Sequence, residues 1–173
     1  MEFSELIQQR KSVRSFQDRP ISPEILDQIL KAANLAPSAG NLQAFEIFVA
    51  TSPAKKAQLT QAALDQEFIQ EAPVVLVFCT NSSRSEWKYK QRAVNLYAVQ
   101  DATIACTYAM LAATNLGLGC VWVGAFNDEM VAEALGDPPG QRPVAMLPVG
   151  YPARNPNPRP RRPLEDLVHT IED

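Results

Sequence analysis

Histidine is almost missing from this chain of 173 residues, because His169, near the C-terminal end, is the only one. Ser-His-Asp and Cys-His catalytic units need a positioned histidine, and many zinc sites use at least one. The composition therefore gives little support to a hydrolase or to a metal centre. We expect no bound metal ion.

Cysteine is scarce too. Cys79, Cys106 and Cys120 are an odd number, show no C-x-x-C spacing and lie in apolar stretches. This pattern is typical of buried, inert thiols in a reduced protein and not of a disulfide framework. The first ten residues are polar and lack the apolar core of a signal peptide. We expect a cytoplasmic location.

No large excess of charge, repeat or low-complexity tract is present. Sixteen Lys and Arg stand against nineteen Asp and Glu, for a net charge of -3, so a nucleic-acid partner is not expected. The length suits a single domain over residues 1–173. An uncharged run, residues 102–126, contains Thr and Asn and is broken by Gly117 and Gly119. It predicts a buried helix and strand and no membrane span.

Helical and strand patterns alternate along the chain, which predicts an α+β fold. Ser22, Ser52 and Asn127 are placed as N-caps of helices. The predicted helices cover 2–9, 53–65 and 95–116, with others starting at Ser22 and Asn127; the predicted strands cover 45–50, 73–80, 120–126 and 144–149. Residues 81–92 are a loop or short helix, and the proline-rich residues 151–163 are expected to be extended.

A basic motif, Arg10-Lys11-Ser12-Val13-Arg14, follows the first predicted helix. In an extended chain Arg10, Ser12 and Arg14 project to one side and span about 13 Å. That reach suits a phosphate at one end and a second polar group at the other. A solvated basic turn is the alternative, and the motif alone favours that turn.

Two further segments carry polar or glycine-rich patterns. The segment from Ala36 to Gln43 contains neutral side chains that can donate or accept hydrogen bonds to the imide edge or the hydroxyls of a ligand. An ordinary helix-to-strand turn is an equally good interpretation of this segment. Gly117 to Phe126 is not a dinucleotide fingerprint, because Trp122 stands where the third glycine would be. Gly124 at a strand end would let backbone N–H groups approach a flat ligand.

Taken in order, these segments resemble the nitroreductase family of FMN-dependent flavoproteins over nearly the whole chain. The resemblance rests on residues 10–16, on Ala36-Pro37-Ser38 with Asn41 and Gln43, on 117–126, and on Gly150-Tyr151-Pro152 leading to three tail arginines. It implies a three-layer fold with a mostly antiparallel sheet flanked by helices. It also implies a homodimer with two FMN molecules at its interface and a tail, residues 151–173, that crosses onto the partner.

The resemblance also implies roles for individual residues. Arg10 and Ser12 would hold the phosphate and ribityl chain, and Arg14 would lie near the N1 and O2 edge of the flavin. Loop residues 38–43 would come from the other subunit, the backbone at Gly124 and Ala125 would face N5, and the tail arginines would complete the phosphate site. The implied cofactor-binding set is Arg10, Lys11, Ser12, Arg14, Pro37, Ser38, Asn41, Gln43, Gly124, Ala125, Arg159, Arg161 and Arg162.

Two departures from the family pattern are visible. Lys11 stands where many members have a second arginine. Residues 81–92 are short where relatives carry insertions that cover the flavin and choose the substrate. Trp87, Lys88, Tyr89 and Arg92 are candidates for the mouth of the site, against the alternative of a solvated basic connector.

The activity that the resemblance implies is two-electron transfer by a ping-pong mechanism. NAD(P)H would donate hydride to flavin N5, leave, and be replaced by a nitroaromatic, quinone or similar small acceptor. No catalytic side chain is required, and Asp101, Glu129 and Glu133 are given no catalytic role. The alternatives are a specialised reaction, such as reductive dehalogenation or flavin fragmentation, and a flavin-binding module reduced by a partner protein.

Overall fold

A four-stranded sheet with the strand order β1-β2-β4-β3 forms the centre of the computed structural model, which describes residues 1–171. All three strand pairs are antiparallel. The strands are β1 (Phe45–Ala50), β2 (Val74–Thr80), β3 (Gly119–Cys120) and β4 (Pro143–Gly150). The helices are α1 (Phe3–Gln9), α2 (Pro23–Asn34), α3 (Pro53–Ala62), α4 (Phe68–Glu71), α5 (Ser83–Tyr89), α6 (Ala98–Asn115) and α7 (Asp128–Leu135).

The sheet separates two apolar clusters, because successive side chains of a strand point to opposite faces. Every residue of β2 is buried. Its Val74, Leu76 and Phe78 pack with α2 and α6, whereas Val75, Val77 and Cys79 pack with α3 and α7. The expected α+β fold, three layers with a mostly antiparallel sheet, is therefore confirmed.

Local sequence signals set several element ends. The Ser22 hydroxyl accepts a hydrogen bond from the backbone N–H of Ile25 at the start of α2, and Ser52 accepts from Lys55 at the start of α3. The Asn127 side-chain oxygen accepts from the N–H of Met130 in α7. All three predicted caps are confirmed. Helix α6 ends at Asn115, and Gly117, which the sequence predicts to terminate it, follows two residues later with a φ of 77°.

The structure corrects other boundaries. The predicted strand over 120–126 is wrong beyond its first residue, because β3 ends at Cys120 and only a single bridge joins Val123 to Met146. The helix predicted from 95 begins at Ala98, after one π-type turn over Ala93–Tyr97. Residues 81–92 contain the short helix α5, and α4 was not predicted.

The three cysteines are free and buried. Burial raises the pKa of both Cys79 and Cys120 to about 12, and it raises the pKa of Cys106 well above its ordinary value. Thiols with such pKa values stay protonated and unreactive at neutral pH, as expected from the sequence. Among residues 1–171 no helix has the length and apolar character to cross a membrane.

The tail begins later than expected. Residues 151–153 pair with the chain's own residues 15–17, through hydrogen bonds from Gln17 N–H to the Tyr151 carbonyl and from Ala153 N–H to the Ser15 carbonyl. A Cβ at Gly150 would lie 2.6 Å from Pro73 Cδ, so a larger residue at the end of β4 would clash with Pro73. From residue 154 to 171 every residue except Pro156 is exposed. The exposed segment without hydrogen bonds to residues 15–17 is therefore 154–171.

Candidate functional site

The basic motif pairs with Cys120 at the β3 edge of the sheet and is extended there, so it is not the solvated turn that the motif alone favours. Val13 N–H donates a 3.0 Å hydrogen bond to the Cys120 carbonyl, and Ser12 forms a parallel bridge with Cys120. Val13 is buried against Gly119, where an added Cβ would lie 2.8 Å from Val13 Cβ. Alternation along this strand turns Ser12 and Arg14 away from the buried Val13.

The cations of this motif have no acidic partner in the part of the chain that the structure describes. The one ion pair within residues 1–171 joins Lys31 to Asp27 in α2, at 2.6 Å. Arg10 and Lys11 are half-buried, and no carboxylate within residues 1–171 pairs with either charge. Such donors favour an anion, and an arginine fork matches phosphate. The residues present therefore fit the phosphate of FMN.

The loop from Ser38 to Gln43 precedes β1 and has an unusual backbone. Gly40, Asn41 and Gln43 all have positive φ values, of 58°, 57° and 44°. The Ser38 hydroxyl accepts a 3.0 Å hydrogen bond from Gln43 N–H, and the Gln43 side-chain amide donates to the Asn41 side-chain oxygen at 2.8 Å. Asparagine adopts positive φ readily, but at Gln43 it is costly and persists only when surrounding contacts impose it.

Asp101 supplies those contacts and is a site residue that the sequence reading missed. Its side chain in α6 is 2% exposed, with one oxygen accepting from Ala39 N–H at 2.9 Å and the other from Ala44 N–H at 3.2 Å. The carboxylate thus holds both ends of the loop. The available signal was its position among Ala98, Ala102 and Ala105, small residues that mark the buried face of α6.

We expect Asp101→Asn to loosen this loop. The amide offers one acceptor and turns a donor toward the second N–H, so free energy of unfolding should fall by about 1.5–3 kcal/mol. Hydrogen exchange of the Ala39 and Ala44 amides should accelerate, and FMN should bind more weakly. The matched control is Thr60→Val, which removes a buried hydroxyl that donates to the Lys56 carbonyl in α3. Unchanged protection of Ala39 and Ala44 would refute this role.

A cavity of about 470 Å³ opens beside this loop. Pro37 and Ser38 line one side, and Tyr97, Thr103 and Ile104 line the other. Its volume falls within the range of small-molecule sites. Two of the predicted residues, Pro37 and Ser38, therefore border a space large enough for a small molecule.

Gly124 and Ala125 lie after the single bridge at Val123 and are exposed. Within the described residues their backbone N–H groups donate no hydrogen bond, whereas the Ala125 carbonyl accepts from the Gln66 side chain at 3.4 Å. A Cβ at Gly124 would lie 3.0 Å from the indole nitrogen of Trp122. These two amides are free to face a ligand, as the resemblance implies.

The structure does not bring all predicted site residues together within one chain. The basic motif and Gly124 adjoin β3, whereas the Ser38–Gln43 loop leads into β1 at the opposite edge of the sheet. Three strand spacings separate β3 from β1, which puts these edges about 14 Å apart. Arg159, Arg161 and Arg162 are exposed in the tail, and none of them is hydrogen-bonded to the motif.

The predicted mouth residues lie in and after α5, next to the Ser38–Gln43 loop. The Arg84 side chain donates to the Leu42 carbonyl at 3.0 Å. The hydroxyl of Tyr89 would lie 2.5 Å from a Cβ built at Gly40. Trp87 is 73% exposed, and its indole N–H donates to the Arg84 carbonyl. The segment therefore packs on the loop and is more than a solvated connector.

The order of motifs, the fold and this arrangement agree with a comparison against protein families. The nitroreductase family matches residues 7–66 and 62–151. These matches cover most of the chain and include the basic motif, the Ser38–Gln43 loop and Gly124. The chain belongs to the nitroreductase family.

Individual relatives agree with this assignment. The FMN reductase [NAD(P)H] of Bacillus subtilis (strain 168) is 34% identical over 172 residues, which cover 92% of this chain and 69% of that protein. Among solved structures, B. megaterium NfrA2 superposes with a TM-score of 0.90 at 31% identity, covering 98% of this chain and 74% of that one. The NADPH:FMN oxidoreductase from Vibrio harveyi, complexed with NAD+, gives a TM-score of 0.89 at 30% identity over 98% of this chain and 76% of that one.

Proposed function

We propose that this protein is an FMN-dependent NAD(P)H oxidoreductase that passes two electrons to a nitroaromatic, quinone or similar small acceptor by a ping-pong mechanism. The observation that carries the proposal is the half-buried pair Arg10 and Lys11, which lacks a carboxylate partner within residues 1–171. The names of its relatives support the choice of cofactor and electron donor.

The chain's own residues would hold and tune the cofactor. Arg10, on the same side of the extended motif as Ser12, would bind the phosphate through a fork of two N–H groups. Ser12 would reach the ribityl hydroxyls, and the free amides of Gly124 and Ala125 would donate to the ring edge. When bound, FMN takes a hydride from NAD(P)H and passes two electrons to the acceptor. The Ser38–Gln43 loop would restrict access to the ring.

A homodimer with exchanged tails is the second part of the proposal. The two groups of site residues lie at opposite edges of the sheet in one chain, so a second copy can bring the loop of one subunit to the motif of the other. Large apolar side chains are exposed on α1, at Phe3 and Ile7, and along the tail. Contact with a second subunit would remove this apolar surface from water.

A reducing compartment such as the cytoplasm suits this protein. Its three cysteines are free, and burial raises their pKa values. No cysteine pair is bridged within residues 1–171. Disulfides form and persist mainly in oxidising compartments, so the free thiols support a cytoplasmic location.

Purified protein tests the proposed function directly. We expect it to be yellow, with visible bands close to those of free FMN, and to oxidise NADH or NADPH steadily when a generic quinone is added. A colourless protein that cannot be reconstituted with FMN would overturn the proposal. A yellow protein that does not turn over with either pyridine nucleotide would indicate a flavin-binding module instead.

Arg14 should tune the potential of the bound cofactor more than its binding. Its exposed guanidinium lies 5.9 Å from the Phe68 ring centroid and has no acidic partner among residues 1–171. A cation near N1 stabilises the negatively charged, reduced flavin. We expect Arg14→Ala to lower the two-electron midpoint potential by about 30 mV or more, where 30 mV corresponds to about 1.4 kcal/mol.

A dye-coupled redox titration measures this shift. Arg14→Lys keeps the positive charge, so its midpoint potential should fall less than that of Arg14→Ala. Arg19→Ala is the matched control, because Arg19 stacks on Tyr151 at 3.7 Å and belongs to no predicted site. An unchanged potential together with loss of FMN in Arg14→Ala would place Arg14 at the phosphate end or in the fold.

A further inference from the structure

The short helix α5 and the turn after it are strongly basic. Arg84, Lys88, Lys90 and Arg92 stand against one acidic residue, Glu86. All four cations are exposed, and none has a carboxylate within 4.0 Å in the described chain. The segment therefore presents uncompensated positive charge beside the Ser38–Gln43 loop.

Two of these cations lie over tyrosine rings in one continuous array. Lys88 Nζ is 5.1 Å from the Tyr89 ring centroid, and Arg92 Cζ is 5.2 Å from that of Tyr97. Arg92 Nε also donates to the Tyr97 hydroxyl at 2.8 Å. The two rings meet edge to face at 5.0 Å. We call these four residues, Lys88, Tyr89, Arg92 and Tyr97, the basic rim.

The basic rim adjoins the cavity of the candidate site. Tyr97 lines that cavity together with Pro37 and Ser38. A Cβ at Gly40 would lie 2.5 Å from the Tyr89 hydroxyl and 2.8 Å from Lys88 Nζ, so both groups sit directly on the loop. The π-type turn over Ala93–Tyr97 places Arg92 and Tyr97 within hydrogen-bond reach.

We propose that the basic rim selects aromatic ligands that carry a negative charge, such as a carboxylate, sulfonate or phosphate. The tyrosines offer apolar faces and edges to a flat ring, and the two cations attract an anionic group attached to it. This inference rests on the proposed oxidoreductase function. Two sources share the chemistry: an acceptor with an acidic ring substituent, and the 2′-phosphate on the adenosine of NADPH.

The expected preference is modest because the cations are exposed. Exposed charge pairs are weak and screened by salt, so an anionic ligand should be favoured by about twofold to fivefold over a neutral isostere near 0.01 M salt. The preference should shrink at 0.15 M or above. An apolar contribution alone would show no such dependence on salt.

The acceptor arm of the test compares 4-nitrobenzoate with 4-nitrobenzamide. We expect the oxidised protein to bind 4-nitrobenzoate about twofold to fivefold more tightly by titration calorimetry, with the same ratio in kcat/KM. Lys88→Gln and Arg92→Gln should each reduce the ratio toward one. Lys31→Gln removes the same charge from α2, where Lys31 pairs with Asp27, and should leave the ratio unchanged.

The donor arm compares NADPH with NADH in the same variants. Loss of a preference for NADPH assigns the rim to the 2′-phosphate, and loss of a preference for 4-nitrobenzoate assigns it to the acceptor; either result supports the proposal. The proposal would be overturned if wild type, Lys88→Gln and Arg92→Gln all showed the same preference for 4-nitrobenzoate over 4-nitrobenzamide and for NADPH over NADH. It would also be overturned if Lys31→Gln lost as much of either preference as the rim variants do. A protein that holds no flavin would instead refute the proposed function, while calorimetry would still test the rim.

Discussion

Deletion of residues 154–173 should produce a monomer that loses FMN during purification. Within 154–171 the recorded backbone hydrogen bonds stay inside the segment, as in Val168 N–H to the Leu164 carbonyl. Four apolar side chains recur at helical spacing and are 58–95% exposed: Leu164, Leu167, Val168 and Ile171. Burial of each against a partner would contribute roughly 1.5–3 kcal/mol, and the same segment carries the three arginines predicted to complete the phosphate site.

A double variant in the tail separates the effect of dimer formation on FMN binding from the effect of the tail arginines. Leu167→Asp combined with Val168→Asp keeps every arginine, so it should weaken the dimer through lost apolar burial alone. Leu64→Asn is the control, since Leu64 is 73% exposed and lies outside the tail. Sedimentation velocity gives the oligomeric state, and the ratio of visible to ultraviolet absorbance gives flavin content. A truncated protein that remains dimeric and yellow would contradict the exchanged tail.

Local chemistry explains why much of the fold was predictable. Ser22-Pro23 and Ser52-Pro53 each combine a hydroxyl cap with a proline that needs no helical N–H bond, and both start helices. The strands β1, β2 and β4 lie within one residue of their predicted bounds. The side chains of β2 and β4 are mostly apolar and buried, so sequence pattern and tertiary environment agree there.

The misses involve contacts between distant parts of the chain. Residues 120–126 have strand-like composition, yet β3 pairs with β4 only through Gly119 and Cys120 before the chain turns away. Asp101 binds amides 62 and 57 residues earlier in the sequence. Backbone N–H groups have no sequence signature, so the residues around Asp101 in the sequence do not indicate that its carboxylate binds the amides of Ala39 and Ala44. The positive φ at Gln43 has no sequence signature either, whereas asparagine is among the residues that adopt positive φ most readily.

Removing Arg10 or Arg161 should weaken FMN binding by about tenfold to a hundredfold, because each would lose a charge-assisted contact to phosphate. Arg10 is half-buried with no acidic partner among residues 1–171, and Arg161 is exposed in the tail. Titration of apoprotein with FMN measures the loss in Arg10→Ala and Arg161→Ala. Arg154→Ala is the control, because Arg154 lies in the same tail and belongs to no predicted contact.

Riboflavin separates phosphate binding from a general effect on the fold. It lacks the phosphate, so wild-type protein should bind it poorly, and neither Arg10→Ala nor Arg161→Ala should weaken its binding further. Equal losses for FMN and riboflavin would show that the arginines act through folding or dimer formation. The double variant Arg10→Ala with Arg161→Ala tests whether both arginines bind the same phosphate, through its loss of FMN affinity. Two arginines that share one phosphate should show non-additive losses, whereas arginines at separate places should show losses that add.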